Sequence, residues 1–291
     1  MAKTDQMRKN PTMRTSPPGI PRVALTIAGS DSSGGAGIQA DLKTFQALGV
    51  YGMSAVTAVT VQNTRTVAAI QEIDPRIVHD QIVCLFEDID IHAVKIGMVS
   101  STALIEAVAS ALNSVSPPAV VLDPVMISKS GYALLKEKAR TMLVEKLFPL
   151  AEVVTPNIHE AQTLVGGSIE TIARMEDAAR QIVALGARKV VIKGGHLDGE
   201  RATDIVFDGQ RVEQISSPRV ATGNTHGTGC TFSSAIAAYL ARGFPFFRAV
   251  KGAKAYINGA ISHSLTIGKG HGPTHHFFDL YRQARFTTDP E

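Results

Sequence analysis

The sequence contains no tryptophan and only two cysteines among its 291 residues, and aromatic residues make up 5% of it. Two cysteines are too few for a disulfide framework and indicate a reducing compartment, so we expect a cytoplasmic protein. No hydrophobic run approaches the roughly 18 residues of a membrane span, which predicts a protein without membrane contact. Cys84 lies in an apolar pattern at helical spacing and is expected to pack in or near the core.

The excess of basic residues is confined to the N-terminus. Residues 1–22 carry four net positive charges, whereas the whole chain carries +3, so the remainder carries −1. Nothing in that remainder indicates the basic face of a nucleic-acid-binding protein. Four prolines and the lack of an apolar signal region predict that residues 1–22 form a disordered basic tail. A transit peptide is the weaker alternative, because the prolines oppose an amphipathic helix.

Short β-rich runs alternate with helical patterns from residue 23 onward, which predicts a single α/β domain over residues 23–291. The predicted strands cover residues 23–28, 54–61, 67–73, 93–96, 119–122, 153–154 and 190–192, with a hairpin at 204–215. The predicted helices cover residues 37–48, 76–88, 101–115, 133–147, 158–186 with a break near 166, 229–242 and 246–265. Buried strands separated by helices imply a largely parallel sheet covered on both faces.

Polar residues and glycines follow the predicted strands directly. In an open α/β sheet, ligands bind beyond the carboxyl ends of the strands, so these residues are candidates for a binding site. Each one alone is explained equally well as a turn or cap residue, but six strand ends together favour a site for an anionic ligand and a metal. The candidates are Gly29, Gln62, Met98, Asp123, Asn157 and Lys193.

Asn157 and Glu160 have the spacing of a helix capping box, in which each side chain hydrogen-bonds the backbone of the other. The same pair could instead hold water molecules around Mg²⁺, with Asp123 as a second carboxylate. Magnesium is commonly bound by one or two carboxylates together with substrate phosphates. The sequence leaves both interpretations open.

Residues 225–230, with the sequence THGTGC, precede a predicted helix. Glycines let backbone N–H groups turn towards a ligand, and the helix N-terminus adds partial positive charge. Residues Gly227, Thr228 and Gly229 are therefore expected to form an anion hole for a phosphoryl group in transfer. A helix N-terminus lowers the pKa of a thiol, so we expect Cys230 to act as a base. The alternative is that Cys230 is a small packed side chain.

Two nucleotide-binding motifs are matched only in part, and each lacks a residue that the motif requires. Residues 29–37 lack the Gly-Lys-Ser/Thr ending of a Walker A loop. Residues 35–40 match the G-x-G-x-x-A dinucleotide fingerprint, but no acidic residue follows about 20 positions later to bind a ribose. Dinucleotide binding is therefore disfavoured.

The chain resembles the hydroxymethylpyrimidine/phosphomethylpyrimidine kinases, the thiamin-biosynthesis branch of the ribokinase-like superfamily. The similarity covers residues 23–278, and residues 1–22 lie outside it. The motifs that carry it are ALTIAGSD at 24–31, SGGAGIQADLKT at 33–44, VLDPVM at 121–126, TPN at 155–157, KGGH at 193–196, NTHGTGC at 224–230 and GHGPTHH at 270–276. The resemblance implies a three-layer α/β/α sandwich with a mostly parallel central sheet.

The resemblance also implies a reaction and residue roles. It implies that ATP and Mg²⁺ are used to phosphorylate 4-amino-5-hydroxymethyl-2-methylpyrimidine to the monophosphate and then to the diphosphate. Gln62 is expected to bind the aminopyrimidine edge, and Asp41, Gly29 and Met98 to line the pyrimidine pocket. The residues expected at the nucleotide, its phosphates and the metal are Asn157, Glu160, Asp123, Lys193 and Thr228. Cys230 is the expected base, beside an anion hole at residues 227–229.

Two alternative functions remain: a kinase with a different substrate and a protein without catalytic activity. A pyridoxine or pyridoxal kinase is the nearer one, and Gln62 argues against it because a pyridine ring presents no aminopyrimidine edge to pair with an amide. A non-catalytic sensor is disfavoured because Cys230 and the metal residues are present. The expected partners are small molecules only, without nucleic acid or membrane, and a homodimer is the candidate assembly that the sequence leaves open.

Overall fold

The computed structural model describes residues 21–127, 131–132, 134–135 and 137–286. Its strands are β1 Arg22–Ala28, β2 Val50–Val56, β3 Ala58–Gln62, β4 Val67–Glu72, β5 Ala93–Ile96, β6 Val120–Leu122, β7 Val153–Val154, β8 Val190–Ile192, β9 Arg201–Phe207 and β10 Val212–Pro218. Its helices are α1 Gly37–Ala47, α2 Pro75–Asp88, α3 Thr102–Val115, α4 Glu137–Leu147, α5 Ile158–Val165, α6 Ile172–Ala184, α7 Thr228–Ala241, α8 Phe246–Ser262 and α9 Phe278–Gln283. A short 3-10 helix covers Phe148–Leu150.

Eight strands form one sheet in the order β10-β9-β8-β7-β6-β5-β1-β2. Within this sheet, the neighbouring strands β8-β7-β6-β5-β1-β2 are all parallel to one another. Strands β9 and β10 extend the sheet as an antiparallel hairpin. The predicted hairpin at 204–215 is thus confirmed, although its strands are longer. Helices connect the parallel strands, as the alternation of patterns predicts, and the connection from β2 to β5 also includes β3 and β4.

Alternation within the strands places apolar side chains on both faces of the sheet. In β1, Leu25 and Ile27 belong to one core cluster and Ala24 to the other. The first cluster packs under α2 to α6, and the second under α1, α7 and α8. The sheet and the two helical layers that cover it form the predicted three-layer α/β/α sandwich.

The predicted strand at 54–61 is wrong in one respect, because two strands occupy this segment. Thr57 separates them: its hydroxyl donates to Met98 O at 2.7 Å, and its backbone N–H donates to Ala28 O at 3.0 Å. The chain leaves the main sheet after β2, and β3 pairs with β4 in a separate antiparallel ladder. The apolar pattern continues across Thr57, so the pattern alone does not show the break.

Two further expectations need correction at the level of single residues. Cys84 is exposed rather than packed, because α2 buries the face of Val78 and Ile82 and turns Cys84 away from it. Arg22 belongs to β1 and pairs with Val50, so it does not belong to the predicted tail. The rest of that segment, residues 1–20, lies outside the described residues.

Candidate active site

A cavity of about 670 Å³ lies beyond the carboxyl ends of the parallel strands, between the loops that follow them and the N-terminus of α7. This is the position at which open α/β sheets bind ligands. The sequence-predicted site residues that line it are Gly29, Gln62, Met98, Asp123, Asn157, Glu160, Lys193, Gly227, Thr228, Gly229 and Cys230. The structure therefore brings together eleven residues from seven separate segments of the chain.

Asp41 is the exception, and its predicted place in the pocket lining is wrong. It is fully buried in α1 and lies behind Lys95, whose ammonium contacts both of its carboxylate oxygens at 2.8 and 3.0 Å. Thr26 and Ser234 donate further hydrogen bonds to it, each of 2.6 Å. Lys95, which the sequence reasoning missed, lines the cavity instead. Its position inside a short apolar strand does not mark it as a site residue in the sequence.

The loop before α7 has the geometry of an anion hole. Gly227 is the N-cap of α7 and has φ +76°, a left-handed conformation that favours glycine. A Cβ atom there would lie 1.7 Å from the carbonyl oxygen of Gly35. The two glycine-rich segments, residues 31–37 and 225–229, therefore meet backbone to backbone. The first turn of α7 lines the cavity at this junction, and the Thr228 N–H donates to Thr225 O at 3.3 Å within the loop. The partial positive charge of a helix N-terminus favours an anion at such a position.

Asp31 and His226 hold that junction, and neither was predicted as a site residue. His226 Nε2 lies 2.7 Å from Asp31 Oδ2, and the same carboxylate accepts backbone N–H groups of Ser33, Gly35 and Ala36. Burial alone would raise the pKa of Asp31, but the hydrogen bonds from His226 and Ser33 outweigh it and lower the pKa to about 2. A glycine-rich loop containing Asp-Ser-Ser was a visible signal for such a turn.

Lys193 and Asp123 form an ion pair beside the anion hole. Lys193 Nζ lies 2.7 Å from Asp123 Oδ1, and Ser233 of α7 donates to Asp123 Oδ2 at 3.3 Å. A Cβ atom at Gly229 would lie 3.4 Å from Lys193 Nζ and 3.6 Å from Asp123 Oδ2. The lysine and the carboxylate are thus adjacent to the first turn of α7, where an anion would be bound.

Asn157 and Glu160 form the capping box that the sequence allowed. Glu160 Oε2 accepts the Asn157 N–H at 2.7 Å, and Asn157 Oδ1 accepts the Glu160 N–H at 2.9 Å. Burial raises the pKa of Glu160 to about 7, and the nearby Asp123 raises it further while Lys193 opposes the shift. Capping uses one oxygen of each side chain, so the capping box does not exclude a second role at the cavity.

The expectation of a low pKa for Cys230 is wrong. The residue is half-buried in the first turn of α7, and burial raises the pKa of its thiol to about 11. Lys95 opposes that shift, whereas the carboxylates of Asp41 and Asp123 add to it. Sequence reasoning counted the helix N-terminus and missed the two carboxylates, which are distant in sequence. The resting thiol is therefore protonated at neutral pH.

Strand β3 and the loops after β1 and β5 form a further part of the cavity lining. Thr60 of β3 donates to Ser30 O at 2.9 Å and accepts from Ser32 at its own carbonyl at 2.5 Å. A Cβ atom at Gly29 would lie 2.3 Å from Met98 Cε, so glycine is required for the methionine to lie there. Gln62, at the end of β3 beside a bulge, also lines the cavity.

A buried ion pair that the sequence reasoning also missed lies on the far side of Lys193. Lys254 of α8 contacts Asp204 Oδ2 at 2.8 Å, and Asp204 Oδ1 accepts the Gly194 N–H at 2.9 Å. This pair fixes the loop after β8. The adjoining wall of the cavity is apolar and is formed by Pro218, Val220, Phe232, Ile257 and Ile261.

A family model described as Phosphomethylpyrimidine kinase matches residues 31–275. The chain belongs to this family. It is 53% identical over 258 residues to the hydroxymethylpyrimidine/phosphomethylpyrimidine kinase of Rhizobium meliloti, which covers 88% of this chain and 97% of that protein. The resemblance predicted from the motifs is confirmed, and the chain is a phosphotransferase of the ribokinase-like fold.

Two solved structures show how far the fold of this kinase extends. The ADP complex of Bacillus subtilis pyridoxal kinase gives a TM-score of 0.84 at 41% identity and covers 92% of this chain and 100% of that one. Phosphomethylpyrimidine kinase from Clostridium difficile 630 gives a TM-score of 0.74 at 48% identity and covers 82% of this chain and 99% of that one. Within the described ranges of this kinase, no helix has the length and apolar content to span a membrane.

Proposed function

We propose that this kinase transfers the terminal phosphoryl group of ATP to 4-amino-5-hydroxymethyl-2-methylpyrimidine and then phosphorylates the monophosphate to the diphosphate. The observation that carries the proposal is that Gln62 and the first turn of α7 line the same cavity. The name of the Rhizobium meliloti relative supports the same two activities. An amide presents both a donor and an acceptor, which matches a ring nitrogen beside an amino group.

The nucleotide is expected to lie between the apolar wall and the first turn of α7. Phosphoryl transfer has a loose transition state, so positioning and charge stabilisation provide most of the catalysis. The N–H groups of residues 227–229 would bind the γ-phosphoryl oxygens, and Lys193 would neutralise charge on the phosphates. Complexes of Staphylococcus aureus pyridoxal kinase with ADP and with AMP-PCP support the use of an adenine nucleotide by this fold.

The donor set at the cavity fits Mg²⁺. Asp123 and Glu160 present carboxylates to the same cavity, and the charge of Asp123 raises the pKa of Glu160. Such a pair of hard oxygen donors suits magnesium, which also takes phosphate oxygens and water. Asp123 and Glu160, with Asn157, would hold the ion, and the ion would supply charge stabilisation for the phosphates. Lys193 Nζ lies 2.7 Å from Asp123 Oδ1, so the lysine holds this carboxylate in place beside the phosphate site.

Cys230 would act as the base for the hydroxymethyl group. Its thiolate would take the hydroxyl proton as the oxygen–phosphorus bond forms and the bond to ADP breaks. Because burial raises the pKa of the thiol to about 11, only a small fraction of the free protein is ionised at neutral pH. The first step should therefore accelerate as the pH rises through the neutral range.

An ADP-release assay tests the function with three acceptors: the hydroxymethylpyrimidine, its monophosphate and pyridoxal. We expect Mg²⁺-dependent release with both pyrimidines and loss of activity when the metal is chelated. Full activity without a divalent metal would refute the metal role of Asp123 and Glu160. Activity with pyridoxal alone would refute the proposed substrate.

Pyridoxal kinase activity is the second candidate, and the fold comparison favours it specifically. The Staphylococcus aureus pyridoxal kinase in complex with AMP-PCP and pyridoxal gives a TM-score of 0.82 at 35% identity and covers 90% of this chain. Its TM-score exceeds the 0.74 of the Clostridium difficile enzyme, although the latter is more similar in sequence at 48%. Gln62 in the cavity lining is the reason that we place this candidate second.

A further inference from the structure

Lys95 is a buried lysine beside the reactive end of the cavity, and the proposed mechanism gives it no role. Its side chain has no exposed surface, and its hydrogen bonds among the described residues go to Asp41. The chain is shaped around the ammonium group, because a Cβ atom at Gly97 would lie 2.7 Å from Lys95 Nζ. Buried ion pairs contribute little to stability compared with apolar packing, so a functional reason for this one is to be sought.

The neighbours of Lys95 connect it to the helix that carries Cys230. Ser234 Oγ donates to Asp41 Oδ1 at 2.6 Å, and the same carboxylate holds the ammonium of Lys95. Ser234 and Cys230 are four residues apart in α7 and therefore lie on the same face of the helix. Asp41 is likewise one turn into α1, four residues after Gly37, whose backbone N–H contacts the thiol of Cys230. The first turns of α1 and α7 therefore meet at the thiol of Cys230, and Asp41 of α1 connects Lys95 to them.

Four charged groups from four different segments of the chain influence the ionisation of Cys230. The carboxylates are Asp41 of α1 and Asp123 after β6, and the cations are Lys95 of β5 and Lys193 after β8. Lys193 is paired with Asp123 and serves the proposed phosphate site. Lys95 borders the same cavity as Cys230 with its side chain fully buried, and its ammonium is bound by Asp41. Its positive charge opposes the rise that burial causes in the pKa of the thiol.

We propose that Lys95 is a positioning residue for Cys230, and that its ammonium, anchored by Asp41, is the fixed positive charge that allows the thiol to ionise and accept the substrate proton. This inference rests on the proposed role of Cys230 as the base. It also gives Asp41, which does not reach the cavity, a function: Asp41 keeps Lys95 protonated and in place. The proton of the hydroxyl group ends on sulfur, and Lys95 exchanges no proton.

Alkylation of Cys230 by iodoacetamide, followed by peptide mass spectrometry, tests the coupling without any turnover. Cys84 is exposed in α2 and serves as the internal reference in the same chain. A rise of one pKa unit lowers the thiolate fraction tenfold and raises its nucleophilicity about threefold, which leaves a net loss of about threefold in rate. At pH 9 we expect Lys95→Met to slow alkylation of Cys230 by about threefold or more, with Cys84 unchanged.

A neutral double variant guards against misfolding. Lys95→Met leaves the carboxylate of Asp41 buried without its partner, which can cost about 3–5 kcal/mol of stability. Asp41→Asn combined with Lys95→Met removes both charges, and we expect it to slow alkylation as well, because the ammonium group that favours the thiolate is lost. An unchanged alkylation rate of Cys230 in a folded double variant would overturn the inference.

Kinetics separate this inference from the proposed role of Cys230. In the wild-type background, Lys95→Met should lower kcat about tenfold with little change in the KM for ATP. In a Cys230→Ala background the same change should have no further effect, because the two residues act as one unit. Wild-type kcat in Cys230→Ala would refute Cys230 as the base and leave the alkylation result standing. An equal loss from Lys95→Met in both backgrounds would overturn the coupling.

Discussion

Gln62 is the residue on which substrate choice depends. Gln62 is the last residue of β3 and lines the same cavity as the anion hole. We expect Gln62→Met to lower kcat/KM for the hydroxymethylpyrimidine by about tenfold or more, since an aminopyrimidine edge would lose both its donor and its acceptor. Activity with pyridoxal should fall less. The ADP-release assay with both acceptors measures this, and an equal loss on both would contradict the assignment.

Cys230 and Cys84 form a natural pair of variants. Removal of a general base usually costs about 10²- to 10⁴-fold, so Cys230→Ala should lower kcat at least about 100-fold. Cys84→Ala, on the exposed side of α2, should leave kcat unchanged. Steady-state kinetics at saturating ATP and pyrimidine decide this. Near-normal turnover in Cys230→Ala would show that the thiol is not the base.

The two cysteines also show which properties of a single residue can be predicted from the sequence. The place of Cys230 in the first turn of α7 could be predicted from the glycines before it. Its ionisation could not, because the charges that set it, Lys95 and Asp41, lie more than 130 positions earlier in the chain and are brought close only by the fold. Cys84 was misplaced because an apolar run on α2 extends beyond the face that is buried.

At the scale of elements, the junction between the loop after β1 and the loop before α7 determines the shape of the anion hole. A Cβ atom at Gly227 would lie 1.7 Å from Gly35 O, and the φ of +76° adds strain for any other residue. We expect Gly227→Ala to lower the free energy of unfolding by about 2 kcal/mol or more and kcat at least about tenfold. Urea unfolding and the ADP-release assay measure the two effects.

Gly223 is the matched control for that variant. It lies four residues earlier in the same loop, and no heavy atom lies within 4 Å of the position of its missing Cβ atom. Gly223→Ala should therefore leave stability and kcat close to those of the wild type. If Gly227→Ala were as well tolerated as Gly223→Ala, the backbone contact between the two loops would not be needed for the site.

Elements were predicted well where the pattern is local and poorly where a distant contact decides. The parallel strands, their helices and the β9–β10 hairpin follow from periodicity and turn residues. The break at Thr57 depends on hydrogen bonds to Met98 and Ala28, and the loop junction depends on the pair of Asp31 and His226, 195 positions apart. No pattern in one segment encodes such contacts.

At the scale of the whole molecule, Glu160 links stability to pH. Its pKa is about 7 in the folded protein, above the ordinary value of 4.5, so the folded state retains a proton that the unfolded state releases. This contribution to stability is complete below pH 4.5 and is lost as the pH rises to about 7. Its size is on the order of a few kcal/mol.

Glu160→Gln isolates that contribution, because glutamine retains the oxygen that caps Asn157. Urea unfolding between pH 4.5 and 8 without Mg²⁺ should show a wild-type free energy of unfolding that falls relative to the variant as the pH rises. A constant difference between the two proteins across this range would show that Glu160 has an ordinary pKa. Because Arg22 belongs to β1, the disordered tail stays a prediction for residues 1–20 only. A homodimer and a cytoplasmic location stay predictions from the sequence as well.

The central claim is that the first turn of α7 binds the phosphoryl group in transfer beside Cys230. A crystal structure with AMP-PCP, Mg²⁺ and the hydroxymethylpyrimidine tests it most directly. We expect the terminal phosphate within hydrogen-bond distance of the N–H groups of residues 227–229, with the metal at Asp123 and Glu160 and the substrate hydroxyl directed at the thiol of Cys230. A terminal phosphate bound elsewhere in the cavity, away from α7, would contradict the account.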